Sequence, residues 1–247
     1  MVQIDGTLGP SCADPQILRQ MFELGMTGIR VNLSHTSLRG AAEPIGRIHE
    51  AARSCGRQAR LLIDMQGPEL RIGRLDAPTR LTEGDTVDLG PKGIHVPRIL
   101  LEAIGPGQEL LLDDGKLLLR ALGRETAEVV RGGLLTSGKS VAAPGCAVLA
   151  PVMTEQDREN VRLAVSYGVT EVMQPFVRSA DDLRQVRQAL DDAGGKEIRL
   201  LAKIEDLRGV EQLESFFGLA DEIVIARGDL GNAMPLWELP SVQAQIS

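Results

Sequence analysis

The sequence predicts an α/β fold in which a parallel sheet is interrupted by a β-rich insertion. Three observations predict it. Short apolar runs alternate with amphipathic stretches of helical period over residues 1–70, the pattern of successive β-α units. Over residues 71–150 the helical period disappears, and short β-like runs lie between glycines and prolines. The alternation resumes over residues 151–247.

Each element has a local reason. MVQIDGT is read as a first strand. In DPQILRQMFELG, Asp14 caps a helix with Pro15 at its first position, Ile17, Leu18, Met21 and Phe22 on one face, and Gly25 as the stop. TGIRVNLS is a second strand. LRGAAEPIGRIHEAARSCG is a helix ending at Gly56, with Pro44 expected to break or kink its beginning. ARLLID is a third strand. In the insertion, QELLLDDGKLLLRAL reads as a hairpin turning at Asp113-Asp114-Gly115. Thr154 then caps a helix that stops at Gly168, VTEVMQPF forms a fourth strand, and Ser179 caps a helix stopped by Gly194 and Gly195. EIRLLAKIE, RGVEQLESFFG and DEIVIAR complete the pattern as strand, helix and sixth strand.

Parallel strands joined by right-handed crossovers fit two architectures. An open doubly wound sheet is complete with six strands, whereas a closed (β/α)8 barrel needs two more units. Both place function at the carboxyl ends of the strands.

Composition narrows the function classes. A hydrophobic share of 43% with 25% charged residues is an ordinary globular balance, which argues against disorder. The net charge of −7 argues against a general nucleic-acid surface but leaves room for a small anionic ligand. Cys12, Cys55 and Cys146 are odd in number and far apart, which fits a reducing cytoplasm. Neither a membrane-spanning run nor a signal peptide is visible, so a soluble cytoplasmic protein with no membrane partner is expected.

Polar groups gather at the strand ends. The second strand ends in Arg30, Asn32, Ser34 and His35. The third ends in Asp64, followed by Gln66-Gly67-Pro68-Glu69 and Arg71. The fourth offers Gln174 and Arg178, the fifth Lys203 and Glu205, and the sixth Arg227-Gly228-Asp229. Lys203 and Glu205 are two residues apart and so share one face of a strand. At an effective dielectric of about 20, opposite charges about 4 Å apart gain roughly 4 kcal/mol. Desolvation can consume all of that, so a ligand site explains the pair better than stability does. Glu205 and Asp229 suit a hard cation such as Mg²⁺, with Lys203 and Arg30 beside the same anionic ligand. Asn32, Ser34 and Asp64 suit a monovalent cation or simple loop capping equally well. His35 alone reads as a hydrogen-bonded structural histidine, and His49, His95 and the cysteines show no ligand pattern.

Six blocks, TLGPSC, GMTGIRVNLSH, LLIDMQGPELRIG, LLLDDGKLLL, LLAKIED and EIVIARGDLG, occur in the order and at the spacing of the pyruvate kinase family, which the chain resembles over nearly its whole length. The resemblance implies an α/β (β/α)8 TIM-barrel type fold, incomplete in this chain, with a small all-β lid domain inserted after the third strand. It implies phosphoryl transfer from phosphoenolpyruvate to ADP, giving pyruvate and ATP, dependent on Mg²⁺ (or Mn²⁺) and K⁺, in a homo-oligomer.

Residue by residue, Lys203 resembles the lysine that contacts the transferring phosphoryl group. Glu205 and Asp229 resemble the divalent-metal ligands, and the backbone of Arg227, Gly228 and Asp229 the cradle of the substrate carboxylate. Arg30 resembles a phosphate-binding arginine. Asn32, Ser34, Asp64 and the Met65 carbonyl resemble the potassium site. His35 and Arg71 match positions near the nucleotide and phosphates, Glu69 the glutamate of potassium-dependent members, and Asp114 the lid residue.

Met65 and Gln66 stand where threonine and lysine are usual, and Thr36 follows His35 in place of glycine. The sixth strand is the last one read, so the resemblance implies that two barrel strands, the threonine thought to help protonate the enolate, part of the nucleotide site and a C-terminal regulatory domain are missing from this chain. Either a truncated enzyme or a short homologue completed by association is expected. Two rival functions are a metal-dependent enolate lyase or aldolase acting on pyruvate or oxaloacetate, and a non-catalytic ligand-binding homologue.

Overall fold

The computed structural model describes residues 2–34, 36–146 and 150–247; for Asn232 it describes only the place in its helix. In chain order the first elements are β1 (Asp5–Thr7), α1 (Pro15–Glu23), β2 (Gly28–Asn32), α2 (Ala42–Ser54) and β3 (Arg60–Asp64). There follow β4 (Thr79–Leu81), β5 (Thr86–Asp88), α3 (Arg98–Ala103), β6 (Glu109–Leu112), β7 (Leu117–Ala121), β8 (Thr126–Arg131), β9 (Gly133–Leu135) and β10 (Val141–Ala142). The last are α4 (Glu155–Leu163), β11 (Glu171–Gln174), α5 (Ala180–Asp192), β12 (Arg199–Ile204), α6 (Leu207–Glu211), β13 (Glu222–Ile225), α7 (Arg227–Ala233) and α8 (Leu239–Ile246).

The chain forms two units. One comprises Met1–Pro68, Val152–Arg227 and Pro240–Ser247; the other comprises Glu69–Pro151 and Gly228–Leu239. The first is built on a curled, six-stranded, all-parallel sheet in the order β1-β2-β3-β11-β12-β13. Its strands read as near-continuous apolar runs because apolar side chains are buried on both faces, one of which lies under helices. Ile29, Val31, Leu61, Ile63, Val172, Leu200, Ala202 and Ile204 are buried on that face. Phe22 and Leu18 of α1 are fully buried, each worth about 1.5–3 kcal/mol relative to exposure.

The opposite face is tiered. Near the strand starts, Asp5, Arg60, Glu171, Arg199 and Glu222 form a chain of ion pairs. Next come Leu62, Met173 and Leu201, with Val224 packed against them. Beyond that apolar tier stand Asp64 and Lys203, and Arg30, level with Leu62, reaches Asp64 with its guanidinium. The alternation of strand side chains sets these tiers, since residues two apart share a face.

The second unit carries a five-stranded sheet in the order β10-β6-β7-β8-β5, antiparallel throughout, and a two-stranded antiparallel pair, β4-β9. Its own core holds Leu100, Leu110, Leu112, Leu119, Val129 and Leu135.

Four local expectations need correction. The helix read from Leu38 begins only at Ala42, because Leu38 N–H donates to the buried Asn160 Oδ1 (2.9 Å) and the segment after it turns. Pro44 sits in the first turn, where backbone N–H groups lack helical partners, so it neither breaks nor kinks the helix's start. The stretch over 71–150 is not purely β: it contains α3, whose six residues are too short to display a period. The helix expected over RGVEQLESFFG splits into α6 and a 3₁₀ turn, Leu213–Phe216.

Candidate functional site

At the carboxyl end of the parallel sheet, β12 delivers Lys203 and, just past its last residue, Glu205. Lys203 Nζ lies 2.5 Å from Glu205 Oε1 and 3.9 Å from Asp64 Oδ2. Asp64 ends β3 and is 3% exposed; Glu205 is 4% exposed. Arg30, on β2 and level with Leu62, reaches the same Asp64 Oδ2 through Nε at 3.0 Å and also through Nη2. Its Nη1 donates to Thr7 Oγ1 at 3.2 Å. Two cations and two buried carboxylates from three strands thus form one network. Buried ion pairs of this kind are poor sources of stability and common in sites that handle anions or metals.

Glu205 has a second tether: Oε2 accepts the N–H of Phe176 at 2.7 Å. Asp64 has an unused acceptor instead. Its Oδ1 is buried, and no hydrogen bond reaches it among the described residues. Nearby in the register, Asn32 pairs with Asp64. The Asn32 Oδ1 accepts Ser34 N–H at 2.9 Å, a local turn that fixes both residues. The Met65 side chain is buried at 1% exposure, so only its backbone could serve a ligand. An orphaned carboxylate oxygen beside neutral oxygens fits a monovalent cation, and the Glu205 carboxylate fits a hard divalent one. Mg²⁺ needs only one or two protein carboxylates.

In the second unit, Arg71 grips Glu69 through Nε and Nη2 (3.0 and 2.7 Å) and donates from Nη1 to Gly138 O at 2.8 Å. Burial pushes the Glu69 carboxyl above its ordinary range. Arg71 opposes that shift, and the charges of Asp114 and Asp229 reinforce it. Asp114 sits at φ +54° in the β6–β7 turn, accepting from Ser140 Oγ at 2.7 Å while its N–H donates to the same hydroxyl at 2.9 Å. Gly228 and Asp229 fall in the first turn of α7, which Arg227 begins. His35 lies outside the described residues.

So the structure brings Arg30, Asp64, Lys203 and Glu205 together in one unit, with Asn32, Ser34 and Met65 adjoining. Glu69, Arg71, Asp114 and Asp229 share electrostatic influence in the other. Sequence reasoning passed over three residues that shape this site. Asp157 on α4 is fully buried and accepts from Gln66 N–H (3.0 Å) and Gly67 N–H (3.1 Å), fixing the loop that leaves β3. Asn160, one turn on, holds the loop after β2 through Leu38. The available signal was the capping box: Thr154 was read as a cap, but Asp157, its reciprocal partner three residues later, was not. Phe176 left no signal, because its role lies in its main chain.

The model of the family "Pyruvate kinase, barrel domain" matches residues 1–247. A pyruvate kinase of Aeropyrum pernix is 34% identical over 252 residues, covering 99% of this chain and 55% of the relative. One from Sporosarcina psychrophila is 31% identical, covering 97% of this chain and 44% of the relative. One from Mycobacterium intracellulare is 34% identical, covering 96% and 53%. The chain spans about half the length of these curated relatives. With a family model matched from end to end, the chain belongs to the pyruvate kinase family, which it represents through the barrel domain.

Proposed function

We propose that this chain carries the phosphoryl-transfer site of a pyruvate kinase, moving the phosphoryl group of phosphoenolpyruvate to ADP. Family membership supports the activity class. The observation that carries the site is the Lys203 ammonium held between Glu205 and Asp64, beside Arg30. On this reading the six-stranded sheet is six strands of a (β/α)8 barrel, and the β-rich second unit is the inserted domain.

Little covalent chemistry falls to the protein in phosphoryl transfer; catalysis comes from positioning and charge stabilisation. Lys203 and Arg30 meet the charge on the transferring group. Arg227, Gly228 and Asp229 receive the substrate carboxylate, and Arg71 lies toward the phosphates. Glu205 and Asp229 would hold Mg²⁺ or Mn²⁺, which when bound supplies Lewis-acid stabilisation of phosphoryl oxygens. Asn32, Ser34, Asp64 and the Met65 carbonyl would hold K⁺, a role supported by the orphaned Asp64 Oδ1. Asp114 acts as the lid residue.

The test is ATP formation from phosphoenolpyruvate and ADP with Mg²⁺ and K⁺ present, omitting each component in turn. Activity that requires all four supports the reading. Decarboxylation of oxaloacetate without ADP would instead identify an enolate lyase.

A further inference from the structure

Phe176 sits at φ +52°. The other non-glycine residues with positive φ among those described are Asp113 and Asp114, in a hairpin turn where aspartate is tolerated. A bulky side chain has no such allowance, and the left-handed conformation costs it about 1–2 kcal/mol. Such strain persists only where the surroundings over-determine it.

Here they do. Gln174 Nε2 donates to Val152 O and to Pro175 O, both at 3.0 Å, clasping the peptide just before Phe176. The Pro175 ring fills the space beside Gly67, where a Cβ would stand 2.5 Å from Pro175 Cγ. On the far side, the Val177 carbonyl lies 3.0 Å from where a Cβ on Gly209 would be, so that glycine admits the turn closely. The outcome is the aim of one N–H, from Phe176 to Glu205 Oε2 at 2.7 Å, while Oε1 meets Lys203. A right-handed residue at this position would turn that N–H away.

We infer that the left-handed main chain of Phe176 is a positioning element for the Glu205 carboxylate, fixing its rotation for a divalent cation. The inference rests on the reading of Glu205 as a metal ligand. The strain is thereby balanced by a charge-assisted hydrogen bond, which is stronger than one between neutral groups. Partners that orient a metal ligand typically change metal affinity 10- to 100-fold when lost.

The direct test replaces Phe176 by L-phenyllactate, which keeps the side chain and turns the Pro175–Phe176 amide into an ester lacking the N–H. Mn²⁺ titration followed by calorimetry, with folding checked by circular dichroism, should give a Kd weakened about tenfold or more. A second variant, Phe176→Val, keeps the N–H but, being β-branched, resists positive φ more strongly, and should also bind Mn²⁺ more weakly while remaining folded. Wild-type affinity in the folded ester overturns the inference, as does wild-type affinity in folded Phe176→Val if the ester does not fold. If the wild-type chain binds no Mn²⁺, or Glu205→Gln leaves binding unchanged, the metal reading itself fails and this role falls with it. The wild-type and Glu205→Gln arms therefore separate the two failures.

Discussion

Lys203 and Glu205, alternate residues at the end of one strand, meet at 2.5 Å, with the glutamate almost wholly buried. Asp64 stands 3.9 Å from the same ammonium and is shared with Arg30. Removing one partner from a buried pair leaves an uncompensated charge, at a cost of about 3–5 kcal/mol. Lys203→Met should therefore lower unfolding stability by that order. Adding Glu205→Gln should restore part of the loss, because residues in one network do not act additively. Urea unfolding of both single variants and the double variant checks this; additive losses would contradict the network.

Glu171 is a separate hub. It is 1% exposed, accepts from Arg199 Nη1 at 3.0 Å and is gripped by Arg60 through Nε at 3.1 Å and through Nη2. Glu171→Gln should cost about 3 kcal/mol, since two cations lose their most buried partner, Arg60 keeping only Asp5 and Arg199 only Glu222. Because Glu171 begins its strand, whereas Glu205 follows the end of the neighbouring one, Mn²⁺ affinity should be unchanged. Paired unfolding and Mn²⁺ titrations test both halves of the expectation.

Asp157 accepts four hydrogen bonds: from Gln66 and Gly67 N–H, from Thr154 N–H and from the Thr154 hydroxyl. Asp157→Ala strands buried donors, at about 1–3 kcal/mol each, so a loss of several kcal/mol is expected. It also frees the loop that carries Met65, so K⁺ should protect the variant against thermal unfolding less than it protects the wild type. Thermal melts with and without KCl measure the difference.

The Glu69 carboxyl is held above its ordinary range mainly by burial, against Arg71. A group whose pKa is raised by folding contributes stability that is full below its unfolded value, about 4.3. That contribution is lost as pH rises through the folded value. Glu69→Gln should remove this slope, so stability relative to wild type should climb with pH from about 4 upward and then level off. Denaturant midpoints collected across that range show the trend or its absence.

Much of this is legible in the sequence alone. The caps at Asp14, Thr154 and Ser179 are local side-chain-to-backbone bonds, written in neighbouring residues, and all three form as read. Lys203 and Glu205 were legible because charge inside an apolar strand is a departure from pattern. The start of α2 was not, because the bond that overrides its helical period comes from Asn160, 122 residues away. The Asp157 clamp spans about 90 residues, and the turn at Phe176 depends on Gln174, Gly67 and Val152 converging in space. Non-local contacts of that kind leave no spacing to read.

The most direct measurement is binding of phosphoenolpyruvate to the full chain with Mn²⁺ and K⁺ present, by calorimetry, in wild type, Arg30→Met and Lys203→Met. The account predicts saturable binding in the wild type that is weakened by more than about tenfold in each folded variant, the loss of a charged partner being worth at least about 1.5–3 kcal/mol. Equal affinity in all three proteins would contradict it.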